Sequence, residues 1–82
     1  MGNENELYTL LKQLGVRLRK LRQGRDEKLS TVHYETGLSI GIISEIENGK
    51  HPQLRMEVLS VLAAHYGLSL TELLNFNDDP SI

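Results

Sequence analysis

Cysteine and tryptophan are absent from the 82 residues, phenylalanine occurs once and proline twice. Without cysteine there is no disulfide framework and no thiolate metal site. That fits a reducing compartment, and a cytoplasmic location is expected. With one phenylalanine and three tyrosines, there is no aromatic platform on which single-stranded bases could stack. No apolar run approaches the roughly 20 residues that cross a bilayer. The opening Met1–Glu6 is polar and acidic, unlike a signal peptide. Glu6 also stands where a myristoylation site needs Ser or Thr. The length predicts a single domain, and one so small buries only about 60% of its unfolded surface.

The net charge of −2 hides an uneven distribution. Between positions 12 and 28 stand Lys12, Arg17, Arg19, Lys20, Arg22, Arg25 and Lys28 against Asp26 and Glu27, a surplus of five positive charges. From 29 to 82, Lys50 and Arg55 face seven acids. A basic segment can serve as an electrostatic footprint on an acidic protein. Alone, it also describes a solvated helix face.

Hydrophobic spacing predicts an all-α chain of five helices. Leu7, Leu11, Leu14, Leu18 and Leu21 step by four and three along one stripe, the pattern of a helix over about 5–23. Gly24 stands where it can end. A second helix carries Leu29, Val32 and Thr36, with Asp26 as its expected N-cap and Gly37 as its left-handed stop. The third starts at Ser39 and runs through Ile40, Ile43 and Ile46 to the Asn48-Gly49 stop. Helices two and three are thus joined by about three residues around Gly37-Leu38. A short glycine-containing turn between two short helices is the signature of a helix-turn-helix. Pro52 marks a loop. A fourth helix is expected over about 55–66, with Met56, Leu59, Leu62 and Ala63 in register. Ser69 and Glu72 have capping-box spacing and open a short fifth helix to about Asn75.

The segments LGVRLRKLR (14–22), TGLSIGIISEIENGK (36–50) and LSVLAAHYGLSLTELL (59–74) resemble the phage repressor and Cro-type helix-turn-helix proteins, the XRE family. The most specific piece is Ile46, Glu47, Asn48, Gly49, Lys50, with Leu21-Arg22 twenty-five residues upstream. The resemblance implies a five-helix, phage-repressor-like DNA-binding domain over 14–76. Residues 1–13 would extend the first helix, and 77–82 would form a flexible tail. It implies that Val32, Gly37, Leu38, Ile43 and Ile46 lock the two helices together, and that Arg22 and Glu47 form a structural pair. It places Ser39, Ile40, Gly41, Ile42, Ser44 and Glu45 on the base-reading face, whose N-terminal residues enter the major groove. Asn48 and Lys50 match phosphate-binding positions.

Several positions depart from the family pattern. Leu29 stands where a glutamine usually grips a phosphate, so that contact is lost or passes to Lys28 or Ser30. Lys28 replaces the usual Ser or Thr cap. His33 replaces an alanine at the helix crossing, so its ring must splay the helices or turn outward. The reading helix offers no arginine for guanine, although Ile40 or Ile42 can touch a thymine methyl and Glu45 can accept from cytosine. Modest specificity is therefore expected. Affinity should lean on phosphate contacts from the basic block and from Lys28, Asn48, Lys50, His51 and Arg55.

Catalysis has little to stand on. Ser39 and Ser44 lack a convincing base, and His33, His51 and His65 are irregularly spaced, so no metal site, cofactor or small-molecule substrate is expected. Leu7, Tyr8, Leu10 and Leu11 extend the first helix upstream of the family's usual start. They read either as a longer core helix or as a dimer contact. Tyr66 and Phe76 read as core or subunit contacts. The expectation is a homodimeric regulator, most simply a repressor, on a near-palindromic double-stranded operator. The competing expectation is a protein-interaction module of the same fold, a corepressor or antagonist of another regulator.

Overall fold

The computed structural model describes residues 3–75; Phe76 and the 77–82 tail, like Met1 and Gly2, lie outside them. Among the described residues the chain is all α: α1 (Asn3–Gly24), α2 (Leu29–Thr36), α3 (Ile40–Glu47), α4 (Met56–His65) and α5 (Leu70–Leu73). Leu14 and Leu18 of α1 meet Val32 of α2, Ile43 and Ile46 of α3, Leu59, Leu62 and Ala63 of α4, and Leu73 of α5 in one buried cluster. The leucine stripe of α1 is thus the spine on which the short helices pack. Leu7, at its N-terminal end, is exposed.

The helix ends explain one correction. Asp26 does not cap α2. Its φ of +54° places it in the left-handed region, where a glycine is usual but Asp is tolerated. The Glu27 amide donates to the Arg22 carbonyl at 3.1 Å and the Asp26 amide to Gln23 at 3.0 Å. This pair of bonds is a Schellman motif that ends α1. Asp26 therefore belongs to the close of the first helix. Lys28 takes the N-cap position of α2, without a side-chain cap, so α2 begins unaided. Gly37, with φ +78°, ends it by the same left-handed device.

Ser39 caps α3, its hydroxyl accepting from the Ile42 amide at 3.1 Å. Ser69 and Glu72 form the reciprocal capping box of α5. That helix is shorter than expected, because Leu74 already serves as its C-cap. Arg55 and Tyr66 are likewise caps of α4 rather than members of it.

Tyr66 lies half-buried between α4 and the α1–α2 loop. Arg25 sits over its ring at 5.5 Å and the His65 ring meets it edge-on at 4.7 Å. Burial, reinforced by the charge of Glu27, pushes its phenol up to about 12. A raised phenol pKa favours the neutral form in the folded state. This contribution is whole below pH ~10, the unfolded phenol value, and is lost as pH rises toward 12. A phenolate absorbance titration should therefore show a late step that Tyr66→Phe removes; a titration unchanged by that substitution would contradict the burial argument.

Candidate nucleic-acid interface

The α2–turn–α3 unit is presented on α1 through an intimate contact. The α1 residues Lys12, Gly15, Arg19 and Arg22 lie three, four and three apart, on one helical face. That face runs along the C-terminal end of α3. A β-carbon on Gly15 would stand 2.5 Å from the Glu47 carbonyl oxygen and 2.6 Å from that of Ile46. Only a residue without a side chain lets the two backbones approach this closely. One turn away, Lys12 packs against Gly49.

Arg22 holds the same junction through charge. Its Nε donates to Glu47 Oε2 at 2.8 Å and its Nη2 to Glu47 Oε1 at 3.0 Å, a bidentate bridge. Its Nη1 also donates to the Glu27 carbonyl at 2.9 Å. The bond to Glu47 raises the Arg22 pKa further, against the opposing effect of burial. Helix α1, the end of α3 and the α1–α2 loop are thereby tied at one guanidinium.

On α3, Ser39, Ile40, Gly41 and Glu45 are exposed, whereas Ile42 and Ser44 are half-buried. Ile42 packs against the core cluster, and the Ser44 carbonyl accepts from Asn48 Nδ2 at 2.8 Å. The six residues assigned to base reading therefore divide into an open N-terminal turn with Glu45, and two residues already engaged in the protein. Glu45 pairs with His51, Oε1 to Nδ1, at 3.3 Å. Lys28, Lys50 and Arg55 are exposed around this unit, as is Asn48, while His51 is half-buried. Leu29, at the family's glutamine position, packs on the core.

His33 takes the outward alternative. Its ring is exposed, and Nδ1 lies 2.6 Å from the Leu38 carbonyl. That contact needs the proton on Nδ1, and it braces the turn between α2 and α3. The helix crossing is kept with an imidazole in the alanine position because the ring leaves it.

The basic block of α1 is less of a free footprint than its charge count implies. Arg17 donates to the Glu72 carbonyl at 3.0 Å, and Arg25 donates to that of His65 at 2.7 Å. Arg19 donates to Asn48 Oδ1 at 2.6 Å. With Arg22, the four arginines tie α1 and the loop after it to the other elements. Guanidinium groups suit this role, since their planar donor array can satisfy several carbonyls.

A second polar cluster was not foreseen. His65 Nε2 lies 2.9 Å from Glu27 Oε1, and its Nδ1 lies 3.3 Å from Glu35 Oε1. The three offer potential ligand atoms within 4.8 Å of one another. However, the carboxylates address different ring nitrogens, and Arg25 also pairs with Glu27 at 3.5 Å. The set reads as a polar bridge joining the loop, α2 and α4. Its members lie on three elements, so no spacing in the chain announces it. Tyr34 was also unforeseen: it is 88% exposed on α2, and no apolar periodicity marks it.

Residues 13–76 match a family described as a helix-turn-helix domain. The chain belongs to that family. Its domain type is found in XRE-like DNA-binding proteins. No curated protein and no solved structure matches the chain. No helix among the described residues is long and apolar enough to cross a membrane.

Proposed function

We propose that this helix-turn-helix protein is a transcriptional regulator that binds double-stranded DNA as a homodimer, most simply as a repressor. The observation that carries the reading is the exposed first turn of α3, Ser39 to Gly41, presented by a family-matched helix-turn-helix. Ser39, Ile40, Gly41 and Glu45, with lesser parts for Ile42 and Ser44, face the base edges. Lys28, Lys50, Arg55 and His51 attend the flanking phosphates. The second copy docks along the N-terminal turns of α1. Exposed Leu7 and Leu10 there border an apolar groove of about 340 Å³, completed by Pro52, Leu54, Leu59 and Leu74. Most of this extension precedes the family match, which begins at residue 13.

Selection of bound duplexes from a random pool tests the reading. The expected product is a near-palindromic site with half-sites about 34 Å apart, bound less tightly as salt rises. Absence of binding at low salt would reject it. That result would favour a protein-interaction module acting as corepressor or antagonist, for which exposed Ile40 and Tyr34 are the supporting features.

A further inference from the structure

The corner where α1 meets the end of α3 carries a more specific assignment. The Asn48 side chain, matched by its position to a phosphate contact, is exposed but already bonded within the protein. Its Oδ1 accepts from Arg19 at 2.6 Å, and its Nδ2 faces the Ser44 carbonyl at 2.8 Å and the Ser44 hydroxyl at 3.4 Å. The amide oxygen and at least one of the two Nδ2 hydrogens are therefore used within the protein.

The charges point the same way. Glu47 carries one negative charge between two guanidinium groups, Arg22 bound directly and Arg19 at 3.6 Å. One positive charge is left over. The Glu47 side chain is 3% exposed and that of Arg22 15%, whereas that of Arg19 is 41% exposed. The surplus therefore faces solvent at Arg19. It does so at the C-terminus of α3, where the helix dipole would otherwise repel an anion. Lys12, packed on Gly49, and exposed Lys50 stand on the same corner.

We infer that Arg19 is the residue that binds a DNA phosphate at this corner, and that Asn48 is a positioning residue that holds its guanidinium. Arg19 keeps its bond to Asn48 through one Nη2 proton, leaving its outer N–H groups for the phosphate oxygens. This inference rests on the DNA-binding reading and names a residue that the family motif does not assign.

The test is a salt titration of binding to a labelled duplex of mixed sequence. The wild-type protein is compared with Arg19→Gln, Asn48→Ala and the double variant, each first shown to be folded by its thermal melt. Arg19→Gln should weaken binding about tenfold at low salt, the scale of a charged hydrogen bond. It should also reduce the slope of log affinity against log salt by about 0.9, the value for one phosphate. Asn48→Ala should weaken binding less. Added to Arg19→Gln, it should change nothing further, because it acts through that residue. If Arg19→Gln keeps the wild-type affinity and slope, or Asn48→Ala costs as much with Arg19 absent as with it present, the assignment is overturned while DNA binding stands. If the wild-type protein binds no duplex at low salt, the DNA-binding reading falls and the assignment falls with it.

Discussion

Arg22→Ala is expected to cost about 3–5 kcal/mol of folding stability, the range for removing one partner of a buried ion pair. The Glu47 side chain is 3% exposed and would be left without its bidentate partner in a site built around two donors. Arg19, at 3.6 Å, would compensate only in part, since it is drawn outward to Asn48. The Glu27 carbonyl would also lose its donor. For a domain of this size, whose whole stability is about 5–15 kcal/mol, the loss is severe. At about 4–8 °C per kcal/mol, the melting temperature should fall by more than about 12 °C. A paired replacement, Arg22→Met with Glu47→Met, separates the two causes. It removes the stranded charge along with the bridge and should recover much of the loss. A melting temperature of Arg22→Ala within a few degrees of the wild type would mean that the junction is held by packing alone.

The fold was legible because its signals are local. A leucine stripe every three or four residues, glycines at helix ends and a serine–glutamate capping box each act within about one turn of chain. What escaped depends on residues brought together from afar. Asp26 has the chemistry of an N-cap, but its backbone closes α1, and only the bonds back to Arg22 and Gln23 distinguish the two roles. The arginines of α1 and of the loop after it look like a free cationic surface until their acceptors on α3, α4 and α5 are seen. His65 meets Glu27 and Glu35 across three elements. At the candidate interface, the motif places Ser39 to Glu45 along α3 but cannot say which side chains remain open. That depends on how far α3 sinks against α1, and Ile42 and Ser44 fall on the engaged side.

Gly15→Ala is the substitution whose sign local rules reverse. In an exposed helix interior, alanine in place of glycine gains about 1 kcal/mol. Gly15 is buried within α1, and the added carbon would meet the carbonyl oxygens of Glu47 and Ile46 at 2.5 and 2.6 Å. These are backbone atoms at the end of α3, which no rotamer change can move aside. The helices must separate, and overpacking of this kind costs about 1–3 kcal/mol or more. The net expectation is a loss despite the better helix former, and a larger loss for Gly15→Val. Separation should also lengthen the Arg22–Glu47 bridge and shift the corner that holds Arg19. The variant should therefore bind duplex less tightly even at temperatures where it remains folded. Gly24→Ala is the control, because nothing lies within 4 Å of a β-carbon at that position. Denaturant melts of the two variants decide the matter. If Gly15→Ala is as stable as Gly24→Ala, then α1 and α3 are not locked at this point. Helix α3 would then be free to move on its support.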